Sequence, residues 1–470
     1  MNLEKVKRIH FIGIAGIGMS AVAAMAKKLD YQISGSDENA YPPATLVLDA
    51  NNIFFHKQYK KEHIQGQDLV VIGAGQDPDN NLEVREVQKQ GIEVVSFAEL
   101  LYLFTKDKFR IVVAGTHGKT TTASLIAWAL NSTGQKIGFF IGGYVKDFKT
   151  NYSLSQSNNF LIEGDEYYSS FFDKRPKFLH YHPSLLVITN LDLDHYDYYR
   201  NLDDLIDKFK KCIKAMPPDG VIVACHDDQN VRKLLKRSER KIIWYGLKGN
   251  QQKWKAENII YSGDSMSFRA RNLETKEKEK IDLKILGQHN VLNCLAALAT
   301  LDYLGISLRS YKENLLKFQG SQRRFEKKGE AKEIIVIDDY AHHPTAVQAT
   351  IDTARAVFPN RRIWAVFEPH TFSRTKATLE QLAHSFLSAD QVIIPKIYPA
   401  REKFKKGGIT AQKVVDEIKK YQQNVYYLPT QGEVVEHLLK ELRPKDVVII
   451  MAVGVFNQVA DLLLSKIENG

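Results

Sequence analysis

The sequence predicts an α/β chain of three domains: a Rossmann-like N-terminal domain, a central domain of the phosphate-loop ATPase type with a mainly parallel sheet, and a Rossmann-like C-terminal domain. Three observations predict it. Short apolar strands alternate with helical stretches along the 470 residues. Two glycine-rich turns, Gly13-Ile-Ala-Gly16-Ile-Gly18 and Gly115-Thr-His-Gly118, each fall between a strand and a helix. The length suits two to four domains, each large enough to bury a core.

The strand–helix rhythm divides the chain into residues 1–106, 107–318 and 319–470. In the first block, apolar strands at 8–14, 31–34, 69–73 and 93–96 alternate with helical stretches such as residues 19–28, the pattern of a parallel sheet. The second block opens with a strand at 109–114 and continues through strands at 159–163, 185–190 and 221–224. Its polar segment 248–283 alternates in character, as at 265–269, and suggests an antiparallel addition. The third block has strands at 334–338, 363–367, 391–395 and 446–451. No internal repeat is visible.

Composition narrows the class. The chain is 44% hydrophobic and 26% charged, as in ordinary soluble domains. No apolar run reaches the length of a membrane span, so no membrane insertion is expected. The first strand follows the N-terminus at once, which reads as fold rather than signal peptide. Cys212, Cys225 and Cys294 are scattered without metal-type spacing, which predicts buried thiols and a cytoplasmic location. The net charge of +10 comes from dispersed lysines and arginines. It suits polyanionic small substrates as well as nucleic acid, and no nucleic-acid partner is expected.

The stretch Gly115, Thr116, His117, Gly118, Lys119, Thr120, Thr121 between strand and helix predicts a phosphate-binding loop. Backbone N–H groups and the helix N-terminus would surround phosphates, Lys119 would add positive charge, and the Thr120 hydroxyl could reach a magnesium ion. The general pattern would place glycine where this chain has Val113, and a chance Gly-Lys-Thr at a helix start is the alternative. Glu163-Gly-Asp165-Glu166 and Asp192-Leu-Asp194-His195 lie at or just beyond strand C-termini, the crevice side of a parallel sheet. Thr120, Glu163 and His195 therefore form a candidate magnesium site.

In the first block, Gly13, Gly16 and Gly18, with Asp37 after the second strand, have the layout of a dinucleotide fold. Their spacing departs from G-x-G-x-x-G, which weakens a nicotinamide-dependent oxidoreductase reading while leaving a diphosphate site or a packing turn. Asn290 and Asn293 share a helical face and suit a purine edge, while a simple N-cap at Asn290 fits equally. In the third block, Arg324 fits a terminal phosphate and Arg374 a carboxylate, since the guanidinium fork suits both. His342 and His343 are adjacent, and one of them is expected to serve substrate while the other is structural.

Taken in order, Gly115-Thr-His-Gly-Lys-Thr120, Glu163-Gly-Asp-Glu166, Asp194-His195, Gly287-Gln-His289-Asn290 with Asn293, Arg324 and Asp339-Tyr340-Ala-His342-His343-Pro-Thr345 resemble the Mur ligase family. These are ATP-dependent amide-forming enzymes of bacterial peptidoglycan synthesis, and the resemblance covers essentially the whole chain. It implies ATP and Mg2+, with Lys119, Arg324 and the metal at Thr120, Glu163 and His195 offsetting phosphoryl charge; Glu166 is the alternative metal-side carboxylate. It implies Gly115 to Thr121 and His289 around the nucleotide, Asn290 and Asn293 at adenine, and Asp339 at the ribose. Gly13, Gly16, Gly18 and Asp37 would line a uridine-diphosphate site, and Tyr340, His342 and Arg374 would face the second substrate.

The glycine turn and Tyr340-Ala-His-His-Pro-Thr345 are similar to the branches that use UDP-N-acetylmuramate itself. One branch adds L-alanine; the other adds a ready-made murein tripeptide, L-alanyl-γ-D-glutamyl-meso-diaminopimelate, in wall recycling. Segments 36–43 and 171–181 resemble the recycling branch, and segments 368–375 and 397–402 the L-alanine branch. The family's C-terminal domain meets the incoming amine, so L-alanine is the expected partner. Both a monomer and a homodimer fit the sequence.

Overall fold

Strands that are buried on both faces set the architecture, as expected of parallel sheets covered by helices. The computed structural model describes every residue except 2, 195–197, 401 and 470. The N-terminal sheet contains β1 (Arg8–Ile12), β2 (Gln32–Ser36), β3 (Leu69–Ile72) and β4 (Val94–Val95), all parallel in the order β2-β1-β3-β4. The central sheet contains β5 (Phe109–Ala114), β6 (Gly138–Val145), β7 (Thr150–Ser153), β8 (Asn159–Gly164), β9 (Leu185–Ile188), β10 (Val221–Cys225), β11 (Lys241–Gly246), β12 (Trp254–Ser262), β13 (Ser265–Asn272) and β14 (Lys278–Leu283). Its order is β14-β13-β12-β11-β10-β9-β5-β8-β6-β7. The C-terminal sheet contains β15 (Glu326–Ala331), β16 (Ile334–Asp339), β17 (Ile363–Phe367), β18 (Gln391–Ile394), β19 (Val425–Tyr427) and β20 (Val447–Met451), in the order β15-β16-β20-β17-β18-β19.

β5 positions the site. It pairs in parallel with β8 on one side and β9 on the other, so the chain leaves it in opposite directions. Val113 stands level with Glu163 and with Val187, which brings the ends of all three strands to one edge. That is a topological switch point, where α/β sheets open a ligand crevice. The expected antiparallel addition is present: β13 pairs antiparallel with both β12 and β14. In the C-terminal sheet only β15 runs antiparallel to its neighbour; the remaining pairs are parallel.

Two boundaries differ from the sequence expectation for local reasons. The first strand stops at Ile12 because Gly13 turns the chain with φ 79°. The helix after the phosphate loop starts at Lys119, and Gly118 caps it with φ 82°. The loop's own Lys-Thr-Thr-Thr thus forms the first helical turn, in which Thr122 N makes an intrahelical bond to the Gly118 carbonyl at 2.9 Å.

The cores show how the domains are joined. One apolar cluster runs from Ile9, Phe11 and Met25 in the N-terminal domain through Phe97 to Phe140, Ile162 and Ile222 in the central domain. The C-terminal domain buries its own two clusters, on either face of its sheet. All three cysteines are free and buried, and burial pushes each thiol up to about 12. Among the described residues, no helix is long and apolar enough to cross a membrane.

Candidate active site

A cleft of about 860 Å3 opens at the switch point and is lined by residues of all three domains. Its floor is the glycine loop. Gly115 has φ 132°, and a side chain there would strike Thr189 Oγ1 and the backbone of Asn190. Gly118 faces Asn293 so closely that a Cβ would collide with the amide. Only glycine fits either position without moving a neighbour. Asn190 clamps the loop from the next strand end: its Oδ1 accepts from His117 N at 2.8 Å, and its Nδ2 donates to the His117 carbonyl at 2.9 Å. Thr116 Oγ1 donates to the Asp192 carbonyl and accepts from Asp192 N, both at 2.9 Å. The sequence reading placed Asn190 inside the strand 185–190 and missed its role; its signal was the polar pair Thr189-Asn190 closing an apolar run, just beyond the buried strand β9.

Lys119 donates to the carbonyls of Gly115 and Thr116 at 2.9 and 3.0 Å and pairs with Glu166 Oε2 at 2.6 Å. Burial opposes its charge, but Glu166, Asp165 and Glu163 outweigh burial and hold its pKa above the usual value. Thr120 Oγ1 donates to Glu163 Oε1 at 2.7 Å, and Gly142 N donates to Oε2 at 2.6 Å. Burial raises the Glu163 carboxyl against the pull of Lys119. A hydroxyl and a carboxylate, both hard oxygen donors, thus meet beside the phosphate loop, which fits a magnesium ion. Glu166 is taken up by Lys119. His195, the third expected metal ligand, lies outside the described residues.

The expected purine pair is engaged with the protein. Asn290 Nδ2 donates to the Leu286 carbonyl at 2.7 Å, Asn293 Nδ2 donates to Asn290 Oδ1 at 2.9 Å, and Thr122 Oγ1 donates to Asn293 Oδ1 at 3.2 Å. The pair lines the cleft and ties the helix Gln288–Tyr303 to the loop helix Lys119–Ser132. His289 lines the same wall, and burial, Arg324 and His117 lower it to about 4.

Arg324 reaches the cleft from the link between the central and C-terminal domains, with its guanidinium 5.5 Å from the Tyr340 ring centroid. Asp339 is buried; its oxygens accept from Phe325 N at 2.6 Å and Ala341 N at 2.7 Å, which fixes that link. His342 and Arg374 converge on Asp194. Arg374 Nε is 2.8 Å from Asp194 Oδ1, and His342 Nε2 is 3.6 Å from Oδ2. Arg374 also contacts His370 Nδ1 at 2.6 Å. Burial lowers His342. His343 points elsewhere, toward Asp192, so the adjacent histidines do diverge.

Of the N-terminal turn, Gly18 lines the cleft, while Gly13, Gly16 and Asp37 are not among its lining residues. Gly13 N donates to the Ser36 carbonyl at 2.8 Å, Gly16 caps the helix Ile17–Lys28, and Gly18 packs against Phe97 and Phe140. Asp37 accepts from Ala15 N at 2.9 Å and from Asn39 N at 2.9 Å, so its carboxylate braces the turn.

The comparisons with known proteins follow the same three-part division. Residues 8–109 match the Mur ligase family, catalytic domain; residues 113–301 match the Mur ligase middle domain; residues 323–454 match the Mur ligase, glutamate ligase domain. The UDP-N-acetylmuramate–L-alanine ligase of Caldanaerobacter subterraneus is 37% identical over 99% of both chains. The crystal structure of UDP-N-acetylmuramate-alanine ligase MurC from Thermotoga maritima superposes with a TM-score of 0.80 at 25% identity, covering 98% of this chain and 99% of that one. A murein peptide ligase from Psychrobacter arcticus gives 0.73 at 28% identity over 99% of both. A phosphate loop at a central switch point, closed over by a C-terminal domain and matched throughout its length, places this chain in the Mur ligase family.

Proposed function

We propose that the chain joins L-alanine to the carboxylate of UDP-N-acetylmuramate in the cytoplasm, using ATP and Mg2+ and releasing ADP and phosphate. The observation that carries this reading is the convergence of Lys119, Thr120 and Glu163 with Arg324 and His342 on one cleft, with Arg374 behind its wall paired to Asp194. A carboxylate is a poor electrophile and hydroxide a poor leaving group, so the acid needs activation. Its oxygen attacks the γ-phosphorus of ATP, the bond to ADP breaks, and an acyl phosphate forms. The amine then attacks the carbonyl carbon, loses a proton, and expels phosphate.

Each residue has a part in that sequence. Loop N–H groups and Lys119 hold the phosphates, and Lys119 must exchange Glu166 for phosphate oxygen as ATP enters. Arg324 neutralises charge on the transferred group from the opposite wall. Thr120 and Glu163 would hold Mg2+, which supplies further charge neutralisation when bound. Asn290, Asn293 and His289 form the wall beside the nucleotide base, and Asp339 orients the link that brings Arg324 in. Gly13, Gly16, Gly18, Asp37 and Tyr340 frame the muramyl nucleotide. Closure of the cleft keeps water from the acyl phosphate.

The amine is assigned to L-alanine because the segment taken to meet it, residues 368–375, holds Arg374 between Asp194 and His370, and because relatives at 37% identity carry that name. The recycling-like segment 171–181 packs toward the N-terminal side, with Lys177 over the Phe97 ring and Phe171 on the cluster around Ile12 and Val70, while Lys177 and Tyr181 also line the cleft. That segment and the Psychrobacter structure favour the tripeptide as a second reading. Phosphate release with ATP, Mg2+ and UDP-N-acetylmuramate, compared across L-alanine, L-serine, glycine and L-alanyl-γ-D-glutamyl-meso-diaminopimelate, decides between them. Preference for the tripeptide would overturn the alanine assignment, and no release with any amine would overturn the ligase reading.

A further inference from the structure

One cluster on the wall of the cleft has side-chain ligand chemistry that the reaction above does not use. His117 from the glycine loop, Asp192 from the segment after β9, and His343 just before the helix Pro344–Val357 meet where the central and C-terminal domains face each other. One ligand atom from each lies within 4.8 Å of the other two. His117 Nε2 is 3.6 Å from Asp192 Oδ2, and His343 Nδ1 is 3.5 Å from the same oxygen. The two rings are tilted, 5.1 Å apart.

His343 is 1% exposed, yet among the described residues neither of its ring nitrogens has a hydrogen-bond partner. His117 Nε2 is likewise buried without a hydrogen-bond partner among them. Two imidazole nitrogens, His117 Nε2 and His343 Nδ1, thus approach one carboxylate oxygen without hydrogen-bonding to it, and buried polar groups left so call for an occupant.

We propose that His117, Asp192 and His343 bind a divalent transition-metal cation of the Zn2+ class, and that this ion ties the C-terminal domain to the phosphate loop. Two imidazoles and a carboxylate are a zinc-type donor set, unlike the all-oxygen pair Thr120 and Glu163. With metal–ligand bonds of about 2.0–2.2 Å, donors in a tetrahedral site stand about 3.4 Å apart, close to the two separations seen here. Thr345 Oγ1 donates to Asp192 Oδ2 at 2.7 Å and holds the carboxylate in place, as outer-shell partners of metal ligands do. His117 and Asp192 side chains are 23% and 37% exposed, which gives the ion a way in and leaves a fourth position toward the cleft.

The test is a Co2+ titration of the full-length, chelator-stripped chain in millimolar Mg2+, which occupies the oxygen site. The expected result is one Co2+ per chain with the intense visible absorption of a four-coordinate ion, displaced by Zn2+. His343→Ala and Asp192→Asn should each weaken binding at least about tenfold, while Glu163→Gln keeps the signal. Weak six-coordinate absorption alone, or an unchanged signal in both variants, would overturn the site. Zn2+ should also raise the Tm of the wild-type chain and slow proteolysis of the 319–325 link. If it does so equally in His343→Gln, a variant of similar bulk that guards against misfolding in His343→Ala, the tie between domains is refuted.

Discussion

At the scale of single residues, the charge on Lys119 is the central quantity. Three carboxylates outweigh burial and hold its pKa above the usual value, which suits the phosphate-binding part proposed for it. Lys119→Ala should lower phosphate release by roughly 100- to 1,000-fold, the size seen when one preorganised charge-stabilising donor is removed. Steady-state phosphate release measures this, and full turnover in the variant would remove the loop lysine from the mechanism. Glu368 offers a test of a different kind. Burial lifts its carboxyl from 4.5 to about 7, against opposing contributions from Gly454 N–H and Arg323. Between those values the folded chain binds more protons than the unfolded one, so stability falls as pH rises through the window, and the loss persists above it. Glu368→Gln removes that loss. Its Tm advantage over wild type should therefore grow from pH 4.5 to 7 in thermal melts, and an advantage independent of pH would refute the assignment.

At the scale of elements, the loop depends on two glycines whose freedom is used for different ends. Gly118→Ala combines a left-handed φ with a clash against Asn293, so the loop helix must shift away from the helix Gln288–Tyr303. Strain of this kind costs about 1–3 kcal/mol. A lower Tm together with a raised KM for ATP is the expected outcome; an unchanged KM would show that the close approach does not shape the site. Much of this was legible in the sequence. Strands such as Leu185–Ile188 and Val447–Met451 are continuous apolar runs, and Gly115-Thr-His-Gly118 between strand and helix announced the phosphate loop. What the sequence could not yield was which polar groups answer one another. Asn290, Asn293, Asp37 and Asp339 read as ligand-facing groups, yet each makes hydrogen bonds within the protein. Some of these pairings are local, such as Asn293 with Asn290 one helical turn away, but those with distant partners, such as Thr122 for Asn293, Phe325 N for Asp339 and Ala15 N for Asp37, are encoded by no periodicity. Asp194 was visible as an acid beyond a strand, but its contacts with His342 and Arg374 exist only once the third domain is in place.

At the scale of the whole molecule, the two interfaces of the central domain differ in kind, and that difference assigns the motion. The N-terminal domain shares a continuous apolar cluster with the central one and adds Tyr152 OH to Asn51 at 2.7 Å, so it is docked by burial. The C-terminal domain has cores of its own and meets the centre through a smaller apolar contact, Phe325 and Val357 against the central core, together with polar pairs: Asp194 with Arg374 and His342, and Lys146 with Glu326 at 2.6 Å. Polar interfaces between domains are the ones that open. The link between them holds Gly320, Arg323 and Phe325 at φ 80°, 56° and 48°. A left-handed backbone at two bulky residues costs about 1–3 kcal/mol each, and it persists only while Asp339 and the carbonyl contact to Tyr340 N hold it. Those contacts lie within the C-terminal domain, so they fix this end of the link to that domain. Asp194→Asn removes the negative charge facing Arg374 and shifts the balance toward the open form. It should raise the radius of gyration measured by X-ray scattering and speed cleavage near residues 319–325, with far-ultraviolet circular dichroism unchanged. UDP-N-acetylmuramate with a non-hydrolysable ATP analogue should partly restore closure in the variant, because ligands that bridge the cleft supply the differential affinity that Asp194 no longer provides. Equal scattering and equal cleavage in the two proteins would mean that closure does not depend on this pair.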